Sequence, residues 1–156
     1  MYESLGTILI SSIPLPAPTP IFSSRWALLM AFLRTMLMVP APAYATRNRP
    51  DAAALREKSY GIWQTTSWAQ MVALVQHIAC GLHQAGLKRG EHMVVIGANR
   101  PRLYATMLAA QSIGAIPVPL YQDAVGAECV FPINNADIRF AVVEDQEQVD
   151  KMLEIR

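Results

Sequence analysis

Charge is scarce in this chain. Charged residues make up 16% of its 156 positions, against a usual share of about 25%. Thirteen Lys and Arg nearly balance twelve Asp and Glu, leaving a net charge of +1. No basic excess is present to neutralise a phosphate backbone, so a nucleic-acid partner is not expected. Cysteine is nearly absent too. Cys80 and Cys129 are too few for a disulfide framework and lack metal-ligand spacing. Neither type of glycine-rich phosphate loop occurs, since Gly81, Gly86 and Gly90 have the wrong spacing and fall at a helix end. The longest apolar run, Trp26 to Val39, is shorter than the roughly 20 residues a membrane span needs and contains Arg34, so membrane contact is not expected. Apolar residues, by contrast, reach 53%, which excludes a disordered chain. The length allows one domain with a real core. These balances point to a soluble α/β protein of a reducing compartment, the cytoplasm.

The texture changes near residue 45. Residues 1–44 carry three charges (Glu3, Arg25, Arg34) and six of the eleven prolines. Proline alternates with other residues from Pro14 to Pro20, which predicts an extended piece unable to enter a helix or a central strand. Arg25 before the apolar run, and Ala43-Tyr44-Ala45 after it, have the form of an export signal with a cleavage site. The long proline-bearing leader and the mid-run arginine oppose that reading. An appended segment without function, or a misplaced translation start, stands beside it as the alternative.

From Ala45 onward the pattern is regular. Ala53 to Arg56 and Tyr60 to Gln64 read as a hairpin around Glu57-Lys58-Ser59. Ser67-Trp-Ala-Gln70 is a capping box that opens a helix. Trp68, Met71, Val72, Val75, Ile78, Ala79 and Leu82 form its apolar stripe, and Gly86 ends it in a left-handed conformation. Met93 to Ile96 is a continuous apolar run, as in a parallel strand buried on both faces. A helix from Pro101 to Gly114 follows. In the strand Ile116 to Leu120, Pro117 and Pro119 predict either a place near a sheet edge or an irregular strand. Ala127 to Ala136 is a weaker helix interrupted by Pro132, Arg139 to Val143 a third strand, and Asp145 to Ile155 a last helix. Alternating strands and helices require right-handed crossovers. The fold class expected for residues 45–156 is α/β: a β-hairpin followed by half of a doubly wound parallel sheet with flanking helices.

In such a sheet, ligands bind beyond the carboxyl ends of the strands. Three loops qualify: Gly97-Ala-Asn99-Arg100, Tyr121-Gln122-Asp123 and Glu144-Asp145-Gln146. Asn99 is a candidate cap for the next helix, and Arg100 a candidate partner for an anion there. Ordinary turn and capping roles explain the same residues. His77 and Cys80 share a helix face, but two groups do not make a metal site, and His83 and His92 lie apart. Ser67 has no histidine at a useful spacing. Both cysteines sit among apolar neighbours, where buried, inert thiols are usual. Glu144, Asp145, Glu147 and Asp150 read as a solvated helix face. Nothing assembles a nucleophile, a base and an oxyanion donor, so no catalytic, cofactor-binding or metal residue is assigned.

The stretch Arg49 to Thr65 nevertheless resembles the opening of the adenylate-forming (AMP-binding) enzymes, in particular the long-chain acyl-CoA synthetase branch. The likeness continues through Ser67-Trp68, Gly81-Leu82, Gly86-Leu87-Lys-Arg-Gly90 and Gly97-Ala-Asn99-Arg-Pro101. It is strongest at Leu108-Ala-Ala-Gln111-Ser-Ile-Gly114-Ala-Ile-Pro-Val-Pro-Leu-Tyr121-Gln-Asp123, and Glu144 to Lys151 completes it. The resemblance implies a ligase that activates a carboxylic acid with ATP, Mg²⁺ and coenzyme A. The family's Ser/Thr/Gly-rich phosphate loop, its adenine and ribose motifs and its lysine-bearing carboxy-terminal domain have no counterpart here. The expectation is thus an amino-terminal piece of such an enzyme behind an unrelated leader, from a truncated or frameshifted gene. It would be inactive alone, unless a second chain supplies the rest. Two other readings compete with it: a non-enzymatic α/β binding module using the crevice near Asn99 and Tyr121, and an exported or membrane-attached protein.

Overall fold

Residues 40–155 are described by the structure, a computed structural model. The proline-alternating piece and the apolar run Trp26 to Val39 lie outside the described residues. A short helix α1 (Pro40–Asn48) comes first, running across residues 44 and 45. Thr46 Oγ1 donates to the Trp68 carbonyl at 3.2 Å, tying α1 to the start of the next helix. Ala43-Tyr44-Ala45 therefore sits inside a helix.

Strands β1 (Ala53–Ser59) and β2 (Ile62–Ser67) pair antiparallel, with Ser59 opposite Ile62. The turn is Tyr60-Gly61, not Glu57 to Ser59, and its two residues have φ of 49° and 80°. Two consecutive positive φ values define the hairpin turn whose twist matches that of paired strands. Glu57 to Ser59 carry no turn chemistry of that kind, and they pair within β1 instead.

Ser67 caps α2 (Trp68–Gln84) with both halves of the expected box, its hydroxyl accepting from Gln70 N–H and Gln70 Oε1 accepting from Ser67 N–H. Met71, Ala79 and Leu82 are buried along the predicted stripe. Cys80, next to Ala79, falls on the outer face and is exposed, against expectation; one residue is 100° of helix turn. At the far end Gly86 takes φ 99°, its N–H bonds the His83 carbonyl, and Leu87 N–H bonds the Leu82 carbonyl. That is a Schellman motif. It recurs after α3 (Pro101–Ser112), where Gly114 and Ala115 bond Gln111 and Ala110, and after α4 (Gly126–Asn135), where Asp137 and Ile138 bond Asn134 and Ile133. In each case the residue after the left-handed position is buried (Leu87, Ala115, Ile138), anchoring the chain just before the next strand.

Strands β3 (His92–Ile96), β4 (Ile116–Leu120) and β5 (Phe140–Val143) form a parallel sheet in the order β4-β3-β5. Among the described residues β4 is an edge strand, the first of the two arrangements its prolines allowed. Ile116 N–H donates to the Glu91 carbonyl, so alternate residues face β3 and the nitrogens of Pro117 and Pro119 face the open edge, where no hydrogen is missed. The third helix-strand unit ends in α5 (Gln146–Glu154), capped by the Asp145 carboxylate accepting from Gln148 N–H. α4 runs through Pro132 without interruption. The ring forfeits one backbone bond there, and burial of Cys129 and Ile133 on either side holds the helix to the sheet.

β3 organises two cores. Met93 and Val95 pack with Ala79, Leu82, Ala109 and Ala110 from α2 and α3. Val94 and Ile96 pack with Cys129 and Ile133 from α4 and with Val149 and Met152 from α5. Helices thus cover both faces of the sheet, the doubly wound arrangement. Each buried Val, Ile or Met of β3 contributes on the order of 1.5–3 kcal/mol.

Candidate functional site

The β3–α3 connection departs to one face of the sheet and the β5–α5 connection to the other. Between such strands a crevice opens at their carboxyl ends. Here the crevice is bridged by Glu144. Its backbone N–H donates to the Ile96 carbonyl at 3.0 Å, extending the β5–β3 ladder by one rung. Its Oε2 accepts from the backbone N–H of Ala98. Its Oε1 lies 3.4 Å from Arg100 Nε. Glu144 is therefore not part of a solvated helix face, and Asp145 beside it is the cap of α5. Arg100 does meet an anion at a helix start, as its position suggested, but the anion is this internal carboxylate.

Asn99 does not cap α3. The cap position belongs to Arg100, which makes no side-chain capping bond, and Asn99 Oδ1 accepts from the Tyr104 hydroxyl instead. Pro101 at the first helical position, with no N–H to satisfy, reduces the need for a cap.

Around the bridge lies a cavity of about 430 Å³. Its apolar lining comes from Val95, Val142 and Leu103, and its polar lining from Arg100, Arg102, Thr106 and Glu144. Glu57 and Ser59 of β1 also line it. Sequence reasoning missed the hairpin's contribution. Only the shift of the turn to Tyr60-Gly61 extends β1 far enough to reach the crevice, and Gly61 was the available signal for it. A hollow of about 490 Å³ sits at the opposite end of the sheet, by Gly90–His92 and Asn135–Arg139. It faces the amino ends of the strands. Its one ion pair there, Arg139 Nε to Asp137 Oδ1 at 3.7 Å, is more than half exposed on both sides and contributes little.

The Tyr121–Asp123 loop is not brought into the cavity. Lys151 Nζ donates to the Gln122 carbonyl at 2.6 Å, holding the loop to α5 on the other face. Tyr121 is exposed, and Asp123, by hydrogen bonding and by its charge, pushes the phenol above its ordinary value. The Cys129 thiol is also pushed up, chiefly by burial, partly offset by Lys151. Among the described residues no three His, Cys, Asp or Glu side chains gather where they could hold a metal ion.

A doubly wound half-sheet with this crevice occurs in many enzymes, so the fold alone does not choose among them. The comparison that decides it is a match of residues 43–156 to the AMP-binding enzyme family. The chain belongs to that family. An uncharacterised protein of Mycobacterium tuberculosis is 32% identical over 103 residues, covering 66% of this chain and 57% of its own length. A long-chain-fatty-acid–CoA ligase of Bos taurus is 26% identical over 105 residues, covering 67% of this chain but 14% of the ligase. Among solved structures, VinN superposes with a TM-score of 0.70 at 24% identity, over 77% of this chain and 31% of VinN. The amino-terminal domain of FACL13 from Mycobacterium tuberculosis, in an inhibitor-bound crystal structure, gives 0.66 at 20% identity, over 74% and 28%. This AMP-binding chain thus spans little more than half of the first relative and about a seventh of the ligase. No helix among the described residues is long and apolar enough to cross a membrane.

Proposed function

We propose that the chain is the amino-terminal part of an ATP-dependent acid–CoA ligase acting on fatty acids, and that it does not ligate by itself. Membership of the AMP-binding family over residues 43–156 carries the reading, and the relatives named long-chain-fatty-acid–CoA ligases direct it toward fatty acids. The overall reaction is carboxylic acid plus ATP plus coenzyme A to acyl-CoA, AMP and pyrophosphate. Activation at the α-phosphate builds negative charge that metal and basic groups must neutralise. The described residues do not fit that task. The strand-to-helix loop Gly97–Arg100 has no run of free backbone donors for a phosphate, because the Ala98 N–H is held by Glu144. What they supply is a frame: two helix layers on a sheet, and a crevice with an apolar floor. The same reading places the protein in the cytoplasm, with ATP and coenzyme A, and assigns the phosphate-binding parts to residues other than those described.

Acid-dependent ATP–pyrophosphate exchange tests this. The purified chain is expected to show none with fatty acids of any length, and co-expression with the remaining portion of a ligase is expected to restore it. Exchange by the chain alone would overturn the proposal of inactivity. A non-enzymatic binding module is the second reading, favoured by the 430 Å³ cavity with its mixed apolar and arginine lining. It predicts saturable binding of a small anion without exchange.

A further inference from the structure

One residue at β5's exit touches four residues between the end of β3 and the start of α3. Glu144 donates its backbone N–H to the Ile96 carbonyl, packs against Gly97, accepts from the Ala98 N–H and pairs with Arg100. The contact with Gly97 is spatial. A Cβ built there would lie 2.9 Å from Glu144 Oε2 and 3.0 Å from Glu144 Cβ. The second distance is to an atom fixed by the backbone, so rotating the carboxylate away would not relieve it. A side chain at 97 would press on Glu144, and one of the two would have to shift.

We infer that Glu144 is the positioning residue of the crevice, the side chain that fixes the path of the Gly97–Arg100 loop and with it the placement of Arg100. The carboxylate satisfies an N–H that would otherwise point out of the loop, and a charge-assisted bond of this kind is stronger than a neutral one. The pairing with Arg100 is secondary, since that side chain is 63% exposed and solvent screens it. The inference rests on no assumption about the reaction, and it survives if the ligase reading fails.

Amide hydrogen exchange and amide-proton shifts of the full chain test it at Ala98. In Glu144→Ala the Ala98 amide is expected to exchange roughly ten- to a hundred-fold faster, the factor for losing a bond to a charged acceptor, while the Cys129 amide on the other face keeps its rate. In Glu144→Gln, which keeps the shape and an acceptor oxygen, the Ala98 proton moves upfield as the acceptor loses its charge. Gly97→Ala removes no hydrogen-bonding group, yet it displaces Glu144 and so reproduces the Ala98 signature of Glu144→Ala. Combining the two changes adds nothing further at Ala98. An unaltered Ala98 amide in either Glu144 variant, or in Gly97→Ala, overturns the inference. If Glu144→Ala does not fold, Glu144→Gln and Gly97→Ala decide it.

Discussion

Strands β2 and β3 are both uncharged over most of their length, and they have opposite environments. From Met93 to Ile96, β3 is at most 2% exposed, with a strand on each side and helices on each face. β2 has β1 as its partner on one side, and its leading residues Ile62 and Trp63 are 65% and 66% exposed. These two residues point to opposite faces of the hairpin, so neither face of the tip is covered. Two strands alone are marginal in water, whereas a strand buried on both faces carries a domain. The difference teaches that the chain's stability resides in the three-strand sheet. The hairpin is held by what surrounds its root, where Thr66 and Ser67 become half-buried and Trp68 N–H bonds the Ala52 carbonyl.

The sharpest way to break that comparison is to truncate one side chain in each strand. Met93→Ala removes a wholly buried side chain from the α2–α3 core and is expected to cost about 2–5 kcal/mol of unfolding free energy. Trp63→Ala removes a larger side chain and is expected to cost no more than about 0.5 kcal/mol, as exposed substitutions usually do. Urea unfolding followed by circular dichroism measures both. Equal losses would mean that Trp63 is covered in solution and that the hairpin shares the core's stability.

The buried half of the comparison was legible in the sequence. A run of apolar residues without alternation, between Glu91 and Gly97, has one physical interpretation in an alternating pattern of strands and helices. The Ser67 box and the left-handed Gly86 were equally readable, because caps depend on residues within one turn of each other. The site was only partly legible. The loops at the strand ends followed from topology, but the meeting of Glu144 with Ala98 spans 46 positions and depends on the β5–β3 register. A charge run at the start of a helix gives no sign of which carboxylate turns back over the sheet. The hairpin's approach to the crevice was hidden for the same reason, since a shift of three residues in its turn changes which of its side chains arrive there.

The two cysteines sharpen the contrast within one residue type. Cys80 lies exposed on the outer face of α2, while Cys129 is 1% exposed beneath α4 with its thiol pushed up by burial. The thiolate is the reactive form, so burial slows Cys129 twice, by access and by ionisation. Under native conditions a disulfide reagent is expected to modify Cys80 at the rate of a free thiol and Cys129 at least about a hundred-fold more slowly, limited by local opening. Mass spectrometry of the labelled peptides reads the ratio. Similar rates would place α4 among the loosely held elements with the hairpin tip, despite its packing on β3.

The smallest effect belongs to the loop that the cavity excludes. Asp123 holds the Tyr121 phenol above its ordinary value of 10.0, first by hydrogen bonding and then by charge. A raised value means that the folded chain keeps that proton more firmly than the unfolded chain does. The associated stability is complete below pH 10 and disappears as pH rises through the folded value. Removing the charge with Asp123→Asn is expected to move one of the five tyrosines to a lower titration midpoint, visible as a difference in phenolate absorbance between the two proteins at alkaline pH. Stability at neutral pH, where that contribution is complete, should fall only slightly, because Tyr121 is exposed and solvent screens the pair. The crevice should not register the change, since Lys151 holds the loop to the opposite face of the sheet. Superimposable titration curves would show that Tyr121 and Asp123 do not meet in solution. The loop would then belong with the hairpin tip as surface that the sheet carries but does not organise.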